Sequence, residues 1–447
     1  MNNHLSQNFN LYSLVKFTLP TTIMLVFISL YQMVDGVFVA NFVGELALSA
    51  LNIIYPVPSI ILAVSIMLAT GGSAIIAKNM GEQKYREARE NFSFILLTGF
   101  LFGMLFMIFG ILFLEETILL LGATPKLYSY CYQYLLILLL SAPLAVFQLL
   151  FQTFFVTAGK PHLGLAMTLI GGCVNIVFDY IFIAIFHLGV TGAAIATSMG
   201  YAVPAISGLI YFSWNRKGTL YFVRPVFRKK VLLCSCTNGA SEMVNNIAVS
   251  ITTFLFNILM LAYAGEAGVA AVTVVLYAQF LMTSVFMGFS SGIAPIISYN
   301  YGRQDHRQLQ TVFQISISLI TVLSIFVFAI AELLAPWVIR VFSSPGSEVF
   351  RIALHGFRLF SLSFLFTGIN IFSSAMFTAF SDGKVSAILS FLRTFVFLVL
   401  CLLILPVFID IDGIWIAVPA AEALAFLVSV CYLAIHRKTY HYMESKK

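Results

Sequence analysis

The sequence predicts an all-α polytopic membrane protein of twelve transmembrane helices, arranged as two six-helix lobes related by a pseudo-twofold axis along the membrane normal. Three observations carry this prediction. The 447-residue chain is 60% hydrophobic and only 9% charged, far from the composition of water-soluble domains. Its apolar runs recur at the length needed to cross a bilayer, roughly 20 residues or more. Its two halves also repeat at an offset of 221 residues.

Taken in order, the apolar runs are spans 1 to 12: 14–42, 51–77, 91–114, 128–158, 163–186, 190–212, 231–263, 269–298, 309–334, 349–380, 385–408 and 413–435. Several are longer than a straight crossing requires, so tilting or bending is expected. Pro20, Pro143 and Pro295 mark the places where bends should fall. The spans and short loops take up the whole length, which excludes a soluble or nucleotide-binding domain. The start of the chain carries no signal-peptide pattern, so span 1 is expected to direct insertion. The cysteines sit mostly inside apolar runs and read as small packing residues. Cys234 and Cys236 have no second pair and no nearby histidine to make a metal site.

Orientation follows from the basic residues. One set of loops carries Lys78, Lys84, Arg86, Arg89, Lys160, Arg216, Lys217, Arg224, Arg228, Lys229, Lys230, Arg303, Arg307 and Lys384, and the tail adds Arg437, Lys438, Lys446 and Lys447. The opposite loops hold Lys126, Arg340 and Arg351. Both termini are therefore expected on the cytoplasmic side. The net charge of +6 reflects this topology and does not call for nucleic acid. The longest inner loop, 213–230, is the natural joint between an N-lobe (1–212) and a C-lobe (231–447).

The repeat is clearest where 71–86 aligns without gaps on 292–307: seven of sixteen positions are identical, including Gly71/Gly292, Asn79/Asn300, Gly81/Gly302 and Gln83/Gln304. The same offset pairs Gly192, Ile195 and Ala196 with Gly413, Ile416 and Ala417. Six spans per repeat is an even number, so both halves have the same orientation. A parallel repeat of this kind is expected to enclose a cavity between lobes, as in alternating-access carriers.

Against this repeated scaffold, the charges inside the spans stand out. Asp35 lies seven residues before the outer end of span 1, Asp179 seven before that of span 5, and Thr197 seven after the outer start of span 6. At ~1.5 Å per residue all three sit roughly 10 Å below the outer surface, with Asn175 one turn deeper. Ionisable residues in a span mark functional sites by default. Two carboxylates, an amide and a hydroxyl make an all-oxygen set suited to a small hard cation or a shared proton. At the 221 offset these positions face Phe256, Val396, Leu400 and Val418. An alternative register for span 11, from matching Gly159 with Gly383, also gives apolar partners. The set therefore belongs to the first lobe alone, the bland alternative being helix–helix glue.

The second lobe carries Glu242 in span 7, Arg358 in span 10, Arg393 in span 11 and Glu422 in span 12. Arg358 and Glu422 are each nine residues from the outer ends of their spans, which predicts a structural ion pair. Glu242 has no basic partner at its depth and is a candidate second acidic site. Tyr31, Gln32, Met33, Gln148, Gln152 and Asn370 interrupt lipid-like runs and are candidates for the cavity wall. Aromatic and methionine side chains would make that wall adaptable towards apolar cations.

Several of these segments resemble the multidrug and toxic compound extrusion (MATE) family of bacteria. They are span 1 with Pro20 and Val34-Asp35-Gly36, the segment 73–86, Asn175 and Asp179 followed by Gly189, Gly192, Ala193 and Ala194, and Ile297 through Gly302 at the end of span 8. The resemblance covers essentially the whole chain. It implies cation-coupled export of diverse, often cationic, drugs by an antiporter using H+ or Na+ and no cofactor. It places the cation site of the N-lobe on Asp35, Asn175, Asp179 and Thr197, and the helix bend on Pro20. Glu242 matches an acid that some members use in the C-lobe, but their companion acid in span 10 is missing here. The expected setting is the bacterial inner membrane, with a monomer as the working unit and small-molecule drugs and lipid as its partners. A flippase for a lipid-linked precursor would need a strongly basic cavity, and a metabolite carrier is the other alternative. An ATP-driven pump is excluded, since no cytoplasmic loop carries a phosphate-binding glycine motif with its lysine, and the resemblance implies a transporter, not an enzyme.

Overall fold

The computed structural model describes residues 4–43 and 45–443; for 35–37, 39–41, 45, 46, 48, 49 and 250 the backbone alone is described. The regular structure among these residues is helical throughout, with no strand. Each expected span coincides with a helix, a bent helix pair or one half of a longer helical run. Proline opens Pro56–Gly81, Pro125–Leu140 and Pro161–Asp179, where its missing N–H leaves no bond unmade. In the second half, side-chain oxygens cap instead. Asp305, Ser347 and Asp382 accept from the backbone N–H of Gln308, Phe350 and Val385, at 3.0, 3.1 and 3.3 Å.

One helical run covers spans 7 and 8, and another covers the end of span 11 together with span 12. Lys229–Arg303 breaks at Gly265, whose φ of 63° combined with ψ of −156° only glycine adopts without strain. Leu398–His436 breaks at Ile409 and Asp410. Span 4 is bent by 54° between Pro125–Leu140 and Ala142–Thr157, where Pro143 was expected to act. Span 10 is bent by 53° between Glu348–Ser361 and Phe364–Ala379, and no proline stands there. Pro20 and Pro295 lie inside continuous helices.

The chain divides into two compact units, Met1–Gln7 with Phe27–Gly239, and Asn8–Val26 with Ala240–Lys447. Each unit contains one repeat's helices plus the first turns of the other repeat's leading helix. In the first unit, Gly71 and Gly239 are forced by backbone contact: a Cβ on Gly71 would strike the Ser235 carbonyl, and one on Gly239 the Met67 carbonyl. In the second, Gly288 and Gly292 meet the backbone and side chains of Thr21, Thr22 and Thr18. These pairs correspond at the 221 offset, so the exchange is part of the repeat itself.

Inside the first unit, Phe92 packs on Phe154 and Phe212 with ring centroids 5.2 and 4.9 Å apart. The loop after span 6 closes over the inner end of this cluster. Phe222 lies 5.6 Å from Phe92, the Val223 N–H donates to Ser93 Oγ at 3.0 Å, and Arg228 pairs with Glu90 at 2.7 Å. The second unit repeats the closure with the chain's C-terminal segment. Tyr442 lies 4.7 Å from Phe313 and Tyr440 stacks 4.5 Å from Phe380. Burial and a 2.7 Å hydrogen bond to Asp382 hold the Tyr440 phenol neutral, well above its usual pKa. Lys446 and Lys447, counted above for orientation, lie outside the described residues.

Candidate cation and substrate sites

Span 5 runs as Pro161–Asp179 and continues as a π-helical segment, Tyr180–Ile185. Such segments shift the register of side chains within a helix and recur at functional sites. Asp179 is the last residue before the shift. It is 0% exposed, and Asn175, one turn deeper, is 3% exposed.

Small residues bring the neighbouring helices close. A Cβ on Gly171 would press on the Gly200 carbonyl of span 6, and one on Gly200 would sit 3.1 Å from Asn175 Cβ. Spans 5 and 6 are antiparallel. One turn outward from the Asn175–Gly200 contact therefore lies Asp179 on one helix and Thr197 on the other. Asn175 Oδ1 and Thr197 Oγ1 are buried without a hydrogen-bond partner among the described residues. Buried oxygens in that condition are costly and are what a bound cation would satisfy.

Span 1 reaches the same region. A Cβ on Gly172 would lie 3.1 Å from a Tyr31 ring carbon. The two helices are parallel, so the backbone of Asp35 follows one turn outward of that contact. The Asp35 side chain itself lies outside the described residues. Tyr31 and Met33 are part-buried and Gln32 is exposed. Gln148 and Gln152 are both buried, and Gln152 Nε2 donates to Thr168 Oγ1 at 3.0 Å, tying span 4 to span 5.

The second unit's charges pair differently from the expectation. Glu422 is bound by Arg393, not Arg358: Arg393 Nε lies 2.8 Å from Glu422 Oε1. The second carboxylate oxygen accepts from Asn370 Nδ2 at 2.7 Å, and Asn370 Oδ1 accepts from Ser429 at 3.1 Å. Asn370 is thus a buried bridge from span 10 to span 12. Two local departures from regular helix explain the exchange of partners. Arg393 sits in a second π-helical segment, Leu392–Phe397, while the 53° bend carries Arg358 away on the outer half of span 10. Residue counts from span ends carry no information on direction around the helix, which here decides the pairing. Glu242 is part-buried in span 7, its carbonyl accepting from Asn246 Nδ2 at 2.9 Å.

The sequence reading missed two polar groups here. Glu332 accepts a hydrogen bond from Ser361. Ser374, Thr378, Ser386 and Ser390 form a buried hydroxyl cluster, with 2.7 to 2.9 Å separations, between spans 10 and 11. Its signal was the i, i+4 spacing of hydroxyls on two facing helices.

Comparison with known proteins bears on this architecture. The MatE family model matches residues 20–181 and 243–403, one stretch in each repeat. The multidrug export protein MepA of Staphylococcus saprophyticus is 24% identical over 415 residues, covering 91% of this chain and 89% of its own. MepA of Staphylococcus aureus (strain MRSA252) is 22% identical over 430 residues, covering 96% and 94%. Among solved structures, MATE in complex with MaL6 superposes with a TM-score of 0.93 at 22% identity, over 98% of this chain and 99% of that one. MATE in the bent conformation gives 0.87 at 23% identity, over 98% of both chains.

Proposed function

We propose that this chain, which belongs to the MatE family of membrane transporters, is a secondary multidrug exporter that antiports H+ or Na+ against amphipathic, often cationic, compounds by alternating access. The observation that carries the reading is Asp179, a carboxylate wholly buried in a membrane helix of one repeat whose counterpart in the other is apolar. The names of the MepA relatives support the drug-export half of the reading.

The chemistry follows from the oxygens around that carboxylate. A proton or Na+ arriving at this site cancels the buried charge of Asp179, and a cation also satisfies Asn175 Oδ1 and Thr197 Oγ1, which have no hydrogen-bond partner among the described residues. That stabilises whichever conformation brings spans 1, 5 and 6 together. Pro20 removes one backbone hydrogen bond from span 1 and supplies the weak point at which its course can change. A drug held in the cavity favours the other conformation. Ion and drug therefore compete through the conformational equilibrium, and each shifts it only by its differential affinity. A few kcal/mol of such difference moves a near-balanced equilibrium by about two orders of magnitude. Asp35 completes the proposed cation set, Tyr31, Gln32 and Met33 contribute to the proposed drug wall, and Glu242 is a subsidiary acid. The proposed setting is the bacterial inner membrane, with both termini cytoplasmic and a monomer as the working unit.

The test is ethidium efflux from proteoliposomes under imposed pH or Na+ gradients, one at a time. One gradient should drive efflux in the wild type and fail in Asp179→Asn at matched reconstitution. Near-normal efflux by that variant, with loss in Glu242→Gln, would move coupling to the other repeat and overturn the reading.

A further inference from the structure

The outer half of span 10, Glu348–Ser361, is divided lengthwise into two unlike faces. Ala353, Gly356, Phe357 and Phe360 are buried, and a Cβ on Gly356 would strike the ring of Trp415. The other face presents Arg351, His355 and Arg358, all exposed, at i, i+4 and i+7 on one stripe. Arg358 lies about 15 Å along the helix from its start. A guanidinium held against hydrocarbon is costly, which favours a stripe that lines a water-filled space. The structure holds such a space: an open cleft of about 740 Å³ along this helix, lined by the stripe with Gly346, Ser347, Glu348, Phe350 and Leu354.

The charge on its wall is unbalanced. Neither Arg351 nor Arg358 makes an ion pair among the described residues. His355 Nε2 is 2.8 Å from Asp412 Oδ1, which leaves Glu348 as the acid set against two free arginines. The helix N-terminus opens on the same cleft and adds its partial positive charge. The bends of spans 4 and 10 fall at Ser141 and Ser363, 222 residues apart, and in that register the stripe corresponds to Ser129, Gln133 and Leu136 of the other repeat. It is therefore not scaffold, by the same reasoning that set Asp179 apart.

We propose that this cleft is an oxyanion site, in which Arg351 and Arg358 hold a carboxylate or phosphate group of an amphipathic molecule whose apolar body lies against Phe350 and Leu354. Guanidinium forks match both anions in bidentate geometry. The site would give the transporter a hold on zwitterionic and anionic amphiphiles that a purely acidic cavity repels. The inference does not rest on the coupling reading, because binding measured without a gradient stands or fails apart from ion-driven efflux.

The experiment is equilibrium fluorescence with the purified full-length protein. The probes are 11-(dansylamino)undecanoate, its uncharged methyl ester, and dioctanoyl phosphatidate as competitor. The carboxylate should bind at least roughly tenfold more tightly than the ester, as expected for charge-assisted hydrogen bonds. Arg351→Gln with Arg358→Gln should erase that preference, and Asp412→Asn, which releases His355, should enlarge it. Displacement by phosphatidate would identify lipid headgroups as one source of the anion, while failure to displace would assign the site to free amphipathic carboxylates. Equal binding of carboxylate and ester by the wild type overturns the proposal, and so does a preference that survives in a folded double variant.

Discussion

The two repeats share their backbone devices and differ in their charges. Span 2 ends on Gln83 at φ 63°, span 8 on Gln304 at φ 60°, and each glutamine N–H bonds three residues back at 3.2 Å. Spans 4 and 10 bend at matching places, around Ser141 and Ser363, whose carbonyls accept from the third and fourth residues beyond. They end alike too, with Gly159 and Ser381 at φ 74° and 64°. By contrast, Asp179 stands in one repeat only, as do the Arg393–Glu422–Asn370 bridge and the arginine stripe of span 10. Features present in both repeats are those the fold needs. Those present in one are where function, or a local structural compensation, should be sought.

The largest expected effect breaks the comparison at its most asymmetric point. Asp179 corresponds to Cys401 in the 222-residue register. Asp179→Asn should reduce gradient-driven drug efflux to the background of empty vesicles, while Cys401→Asn, which places the same amide in the other repeat, should leave efflux close to wild type. The measurement is initial efflux rate at matched protein density. Equal losses in both variants would mean that any polar change at this depth is disruptive, and the asymmetry would lose its functional meaning.

Next in size is the bridge around Glu422. Removing one member of a buried ion pair strands the other charge, at a cost of about 3–5 kcal/mol, whereas replacing both with apolar groups is often neutral. Glu422→Ala should therefore lower the unfolding temperature in detergent sharply, and Arg393→Met combined with Glu422→Leu should recover most of the loss. Arg358→Met should leave stability unchanged. Destabilisation by Arg358→Met as large as that by Glu422→Ala would restore the pairing expected from span depth.

How much of this was legible in the sequence divides along the same line. Hydropathy marked the spans, and the identities around Gly81 and Gln83 revealed the repeat, because turns with left-handed residues and close helix contacts leave residue-type signatures. Asn175 and Asp179 could be placed on one face from their spacing alone. The partner of Glu422 could not. Two π-helical segments and a 53° bend each rotate a side chain around its helix axis, and neither leaves a strong mark in residue type. The register of the second half was hidden for the same reason. Residue type matches Gly159 to Gly383, yet the backbone uses Ser381, a serine at a positive φ that glycine would more usually occupy. The exchange of leading helix turns between units was equally invisible, since Thr18 and Gly239 carry no shared signature.

A smaller effect is expected at the inner ends of the units, where one repeat uses the loop after span 6 and the other the C-terminal segment. Tyr442 is completely buried, and Tyr442→Ala should cost about 3 kcal/mol through lost packing on Phe313 and Phe380. Phe222 does the corresponding work on Phe92 but is only part-buried, so Phe222→Ala should cost about half as much or less. Thermal unfolding of the two variants checks the ordering. A larger loss for Phe222 would show that the loop, with its Arg228–Glu90 pair, is the stronger of the two closures.

The smallest effect tests whether a shared device depends on the residue that announces it. Pro143 sits just past the bend of span 4, and a proline there looks causal. The equivalent residue past the bend of span 10 is Leu365, and that span bends by 53° against 54°. The bend must then come from packing and from the Ser141 and Ser363 turns, with proline merely compatible because it lies in the first turn of the following helix. Pro143→Ala should change stability by less than about 1 kcal/mol and leave ion-driven efflux intact. The reverse substitution, Leu365→Pro, should be tolerated nearly as well, since it removes only a long 3.3 Å bond from the Leu365 N–H to the Leu362 carbonyl. If Pro143→Ala instead unfolds the protein or abolishes transport while Leu365→Pro has no effect, the bend of span 4 is made by its proline. The two repeats would then reach the same geometry by different means.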